Sequence, residues 1–315
     1  MIILPRRPAW QYSEHAPAFF TGQAGCFCCP GGGVYVFGGI NTSNVRTGAT
    51  GKFDGSSWTG KTSYTPIRHY HGGCDTGSVC YSAGGNGTGG SLSDMDSYTD
   101  DTWVAKTDIP TPARQSYDGL AATGGKAYLI YGFSTAVVAD CDQYDPSGDS
   151  WTNKTDGPVA RQNGSTSSLG SSVVMFGGSS ATGLGETALA DVDEYATGSD
   201  TWTGRTDMTA NVRMRSAASE ISSKAYVAQG GGALSVPFYS DTDEYVIDTW
   251  TAKTSSSIEY QERASSVLSG AMYCLGGAKM SPGYTRVTDV DEYTPDTWTS
   301  KTGGANGTGS GAGTI

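Results

Sequence analysis

Two of the chain's three histidines, His69 and His71, flank Tyr70. On a strand this spacing puts both imidazoles on one face, which can begin a metal site but falls short of a zinc ligand set. Packing or a surface position is the simpler expectation, and no metal or cofactor is expected. Acid pairs recur at the same spacing: Asp94/Asp96, Asp140/Asp142, Asp191/Asp193, Asp241/Asp243 and Asp289/Asp291. Calcium wants such oxygens gathered around one point. Spread one pair at a time along the chain, they are expected to cap turns. Arg68, Arg114 and Arg161, with Arg213, Arg215 and Arg263 in looser register, precede segments of small residues. Arginine offers five donors in a rigid fork, suited to carboxylates and sugar acids. The competing expectation is that each is consumed by a carboxylate or main-chain carbonyl of its own segment.

Other chemistry is sparse. Seven cysteines, an odd number, signal no disulfide framework, and most fall in apolar stretches as small fillers. No nucleophile elbow, zinc-protease helix or phosphate loop occurs, so no catalytic residue is assigned.

The elements that would carry these residues repeat. Trp-[Thr/Val]-x-[Lys/Arg]-Thr begins at Trp58, Trp103, Trp151, Trp202, Trp250 and Trp298, in steps of 45, 48, 51, 48 and 48 residues. An aromatic stands five or seven positions before each: Phe53, Tyr98, Tyr144, Tyr195, Tyr245 and Tyr293. Further upstream an apolar run closes on glycine, at Gly38-Gly39, Gly84-Gly85, Gly177-Gly178, Gly230-Gly231 and Gly276-Gly277, with Gly132-Phe133 in the third copy. Each piece is too short for a helix and is bounded by turn residues, so every unit reads as four antiparallel strands. Small residues such as Gly119, Ala121 and Ala122 suit the strand nearest a central axis. Units of this kind cannot cover both faces alone and stack radially.

The order Gly-Gly, Tyr, Trp at these spacings resembles the kelch repeat across residues 16–302. Six copies imply an all-β, six-bladed kelch-type β-propeller with four antiparallel strands per blade. The first copy departs from the pattern, with Phe53 for Tyr and no acid pair. In proteins of this kind, arginines at the corresponding place face the mouth of the central channel. The resemblance therefore implies ligand contacts from Arg68, Arg114, Arg161, Arg215 and Arg263. The histidine and tyrosine set of kelch-like copper oxidases has no matching context here. Asp54-Gly55-Ser56-Ser57-Trp58 matches the sialidase Asp-box only in part, because Lys52 stands where that motif has Ser.

Residues 1–15 contain Trp10, 25 positions before Tyr35 as Trp103 is before Tyr128, and are expected to form a latch strand beside the last blade. Residues 303–315 have the composition of a flexible Gly-rich tail. The formal net charge of −11, with 20 basic residues scattered against 31 acidic ones, speaks against nucleic acid and anionic membranes as partners. No apolar run reaches the length of a membrane span, and the first residues do not form a secretory leader. The expected role is a non-catalytic structural or adhesive binding module. The uniformity of the copies is similar to kelch-like proteins of bacterial viruses, which implies a tail fibre or head/tail appendage assembled in the host cytoplasm. Its partners would be other virion subunits and a host-surface glycan, in a multimeric assembly. A kelch-type interaction adaptor, cytoplasmic or extracellular, and a propeller enzyme acting on sugars are the rival expectations.

Overall fold

Short strands rich in Val, Tyr, Thr and Trp, separated by Gly and Asp turns, pair with strands close to them in sequence, in antiparallel fashion throughout the described residues. The computed structural model describes residues 25–29, 32–77, 79–117, 119–182, 186–209, 212–232, 237–279 and 283–301. The latch expected over 1–15 and the tail over 303–315 lie outside the described residues. Among those described there is no helix, and six sheets of four antiparallel strands follow one another along the chain. The first comprises Gly25–Cys29, Gly33–Phe37, Thr50–Phe53 and Trp58–Lys61. The others begin on the inner strands Gly72–Asp75, Leu120–Thr123, Ser165–Leu169, Ala217–Ile221 and Ala264–Leu268. These inner strands lie side by side in chain order, and Ala264–Leu268 also lies against Gly25–Cys29. The arrangement is propeller-like.

Large side chains fill the spaces between consecutive sheets. Val173, Met175 and Tyr195 of the fourth sheet meet Tyr128, Ile130 and Tyr131 of the third. Val34, Val36, Phe53 and Trp58 of the first meet Tyr273, Leu275 and Val290 of the sixth. Burial of each such side chain is worth about 1.5–3 kcal/mol. Register sets each repeat tyrosine opposite its tryptophan, as in Tyr195 and Trp202, whose ring centroids are 5.1 Å apart.

The repeat motif has a second use, as a clasp between sheets. Trp202 Nε1 donates to Thr155 O (2.7 Å), the last residue of the preceding copy of the motif, and Thr155 N donates back to Asp200 Oδ1 (2.9 Å). Asp200 sits in the hairpin before Trp202 with φ +56 and also accepts the Tyr195 hydroxyl (2.7 Å). Trp103, Trp151 and Trp250 make the same bonds with Thr62, Thr107 and Thr206, through Asp101, Asp149 and Asp248. Trp202→Phe should therefore cost about 1 kcal/mol, read by denaturant unfolding. The main-chain N–H of Thr155 and the Tyr195 hydroxyl hold the Asp200 carboxyl below its ordinary value. A lowered acid contributes stability above its unfolded value, near 4, and loses it as the pH falls through the folded one. The melting difference between wild type and Asp200→Asn should then be constant above about pH 5 and shrink below about pH 4. A difference unchanged down to pH 3 would show that the charge has no part in the clasp.

The glycine doublet is placed differently from the sequence reading in two copies. The first position donates its N–H to the residue that opens the acid pair, as Gly84 N does to Asp94 O (3.0 Å). Gln229 N makes that bond to Asp241 O, so Gln229-Gly230 is the doublet of the fifth sheet. In the first four copies the second position donates to the carbonyl of the arginine that opens the next sheet, and Gly132 does so to Arg161 O, which makes Tyr131-Gly132 the doublet of the third; in the fifth, Gly230 donates to Tyr260 O. The first position has φ near +60, which Tyr131 and Gln229 adopt at some cost; the second runs from +86 to +129 and is glycine in every copy. Among the described residues, Cys80 departs from the filler expectation because it is disulfide-bonded, while Cys74, Cys141 and Cys274 are free and buried.

Candidate functional site

Four of the five arginines expected at the channel mouth are inside the sheets. Arg68, Arg114, Arg161 and Arg263 have almost no exposed surface, and each is paired with the second acid of its own sheet: Asp96, Asp142, Asp193 and Asp291. Arg213 forms the same pair with Asp243. Arg68 shows the pattern. Nη2 reaches Asp96 Oδ2 at 2.5 Å, and Nη1 donates to Gly84 O and Asp94 O at 2.9 Å, while the guanidinium lies 4.6 Å from the Tyr64 ring centroid. The acid pairs are thus arginine clasps, not turn caps: the second carboxylate neutralises the arginine, and in four sheets the first contributes its main-chain carbonyl. Burial pushes the Asp96 carboxyl up to about 6, against the pull of Arg68. With their donors turned inward, these arginines offer a ligand no surface, and the ligand-binding expectation contracts to Arg215.

Arg215 belongs to a ring that the repeat pattern did not reveal. Where the chain passes into the second to sixth sheets, one non-glycine residue in each takes a left-handed backbone: Tyr70, Tyr117, Asn163, Arg215 and Glu262, with φ between +48 and +61. Main-chain bonds tie neighbours together, from Tyr117 N to Tyr70 O, Arg215 N to Asn163 O and Glu262 N to Arg215 O (2.7–3.0 Å). The left-handed turn also explains why His69 and His71 do not share a face. His69 Nδ1 accepts from Arg46 Nε (3.0 Å), whereas buried His71 reaches Phe37 O through Nε2 (3.1 Å). Among the described residues no group of three or more potential metal ligands occurs.

The side chains of the ring divide into an aromatic and a charged half. The Tyr70 and Tyr117 rings are 4.5 Å apart, and the His69 ring lies 4.2 Å from Tyr70. Glu186 accepts from Arg215 Nη2 (2.6 Å), Asn163 Nδ2 (2.7 Å) and Gln162 Nε2 (2.9 Å). Glu262 accepts from Arg286 Nη1 (2.9 Å) and the Tyr284 hydroxyl (3.2 Å), and lies 3.9 Å from Arg215 Nε. Three buried groups beside them have unused hydrogen-bonding atoms: Arg215 Nε, Asn163 Oδ1 and both ends of the Gln261 amide. Burial, with Arg46 adding to it, lowers His69 to about 4, so its imidazole is neutral at pH 7. Burial raises the Glu186 carboxyl, with Arg215 opposing. Tyr117 is pushed up by burial and then by Tyr70, and it also feels Arg215, Glu186 and Glu262 across the opening.

Beyond the ring, the inner strands line a channel segment of about 200 Å³. Ala121 and Ala122 keep it open, as their size suggested, and Ser167, Ser219 and Ser265 add hydroxyls. Glu186 and Arg286, which complete the ring, lie in connections outside the repeat, so the only sequence signal for them was departure from it.

No family model matches the chain. Its structure is similar to the solved structure of YjhT, with a TM-score of 0.73 and 15% identity, over 91% of this chain and 99% of that one. Significant similarity extends to 295 solved chains, too many for the fold alone to select a function.

Proposed function

We propose that the chain is a six-bladed kelch-type β-propeller acting as a non-catalytic binding module, and that the ring of Tyr70, Tyr117, Asn163, Arg215 and Glu262 recognises a saccharide. Six four-stranded sheets whose inner strands neighbour one another in a cycle support the blade count. The observation that carries the binding role is the union of strain with chemistry at one end of the channel. Each bulky residue held left-handed costs on the order of 1 kcal/mol, and glycine would hold the same turn without that cost. Aromatic faces beside charged and amide side chains suit a ligand that presents C–H faces and hydroxyls together. Saturation-transfer NMR against a panel of neutral and acidic oligosaccharides should find a binder, and Tyr117→Ala should weaken it at least tenfold. A panel without a binder, or an unaffected Tyr117→Ala, overturns the proposal.

A second reading, a propeller enzyme acting on sugars, draws on buried Glu186 with its raised carboxyl. Conversion of the bound sugar in the same spectra would favour it. The uniformity of the repeats supports a virion appendage as the setting. Self-association in analytical ultracentrifugation is expected on that view, and a strictly monomeric chain counts against it.

A further inference from the structure

At the first five repeat tryptophans the place six positions on lies between consecutive sheets and is filled by a large side chain at all but one. Tyr64, Ile109, Gly157, Met208 and Ser256 occupy that position. Their equivalence is set by one shared bond, in which the residue's N–H donates to the carbonyl just before the acid-pair site: Ile109 to Ser93, Gly157 to Ala139, Met208 to Ala190, Ser256 to Ser240. Tyr64, Ile109 and Met208 are buried in the cores between their sheets. At Gly157 the Tyr131 ring fills the place, so closely that a Cβ there would lie 2.1 Å from its hydroxyl. At the corresponding place between the fifth and sixth sheets stands Ser256, held by Gln229 Nε2 (3.0 Å), and a cavity of about 320 Å³ remains. It is lined by Ser256, Ile258, Tyr260, Asp291, Trp298 and Ser300. Ile258 is exposed and Trp298 half-buried, so the cavity reaches the surface.

The clasp at this seam is altered too. Trp298 Nε1 still donates to Thr254 O (3.0 Å). Asp296, however, takes neither the threonine N–H nor a tyrosine hydroxyl, the bonds that Asp101 and Asp200 accept at other seams; its own N–H donates to the Tyr293 hydroxyl (3.1 Å). Its carboxylate, 59% exposed, lies at the cavity with Lys253 Nζ 3.6 Å away.

We infer that this lateral cavity is a binding site, distinct from the channel mouth, for a single aromatic ring bearing a hydrogen-bond donor, as in a phenol. The shape argument comes from the other seams, where Tyr64 lies 4.3 Å from Trp103 and Tyr131 5.5 Å from Trp202; here no residue of the fifth sheet supplies that ring to Trp298. The polar argument is the Asp296 carboxylate, an acceptor within reach of a ring substituent. The volume is at the lower end of the roughly 300–1,000 Å³ usual for small-molecule pockets.

Titration of the full chain with p-cresol, N-acetyl-tyrosinamide and N-acetyl-phenylalaninamide, followed by heteronuclear NMR, tests it. Saturable binding of the two phenols is expected, with shifts centred on Ser256 and Trp298. Asp296→Ala should weaken the phenols severalfold and leave the phenylalanine compound unchanged. Ser256→Met, which installs the side chain found at Met208, should reduce binding at least tenfold while raising the melting temperature; Ser256→Tyr, which copies Tyr64, serves if that variant misfolds. Preference for the tyrosine compound over p-cresol would identify a peptide-borne ring, and the reverse a free phenol. Absence of saturable binding, or binding unaltered by filling the cavity, overturns the inference and leaves a packing void. The channel-mouth proposal would be untouched, because its ring lies outside this seam.

Discussion

Asp96→Ala is expected to destabilise the protein by about 3–5 kcal/mol, because it leaves the Arg68 guanidinium buried without its counterion. Arg68 has no exposed surface, and its remaining acceptors are neutral carbonyls of Pro66, Gly84 and Asp94. None of these carbonyls can replace a carboxylate in a low-dielectric interior. Removing both partners should be far milder. An Arg68→Met, Asp96→Leu double variant loses the attraction but also the desolvation of two charges, so its cost should fall well below the sum of the single changes. The first sheet offers a natural precedent. Gly51 stands two residues before Phe53, where the others have the clasping acid, and residues 16–24 contain no arginine. Both members are missing together, as expected if either alone is costly. Urea unfolding of the two single variants and the double measures the coupling. A double variant as unstable as the sum of the singles would mean that the pair acts through packing against Tyr64 and not through charge.

The tryptophan and tyrosine recurrence made the strand order legible, because Trp and Tyr must face each other across a hairpin and fill the seam beside it. The glycine doublets misled in two copies for a specific reason. Sequence aligns Gly132 and Gly230 by residue type, whereas the backbone sorts them by φ, and the position near +60 admits Tyr131 and Gln229. The arginines were legible as a set, and the expectation that each is consumed by a carboxylate or carbonyl of its own segment holds for Arg68, Arg114, Arg161, Arg213 and Arg263; that Arg215 alone departs was not legible. Arg213 and Arg215 are two residues apart in a turn, one folded inward onto Asp243 and the other lying beside Glu186 at the channel opening. Spacing cannot separate them, because the left-handed backbone at Arg215 breaks strand alternation. The missing arginine and acid of the first copy did carry the signal that the two belong together. Glu186 and Arg286 were marked only by falling outside the repeat, since they lie in connections that do not recur.

Arg215→Ala should weaken saccharide binding at the channel mouth at least tenfold, or about 1.4 kcal/mol, and should also make stability more sensitive to pH. The wild-type Glu186 carboxyl is raised by burial and restrained by Arg215, with Asn163 and Gln162 completing its bonds. Without the guanidinium, burial acts with less opposition and the carboxyl rises further. For an acid raised on folding, the stability contribution is complete below its unfolded value, near 4.3, and is lost as the pH rises through the folded one. The variant's melting deficit relative to wild type should therefore be small near pH 5 and grow toward pH 8, reaching about 1–3 kcal/mol if Glu186 is forced to ionise. Glu186→Gln in the same background should flatten that dependence, because the amide keeps a hydrogen-bonding side chain and carries no charge. Binding should stay lost in the double variant at every pH, since the donor fork facing the opening is still missing. Arg215→Lys separates the two effects: it restores a cation near Glu186 and hence much of the stability, but a point charge cannot reproduce the planar fork, so affinity should recover only in part. If Arg215→Ala bound saccharide as wild type does and differed only in its melting curve, Arg215 would be a structural counterion like Arg68, and recognition would have to rest on the Tyr70 and Tyr117 rings.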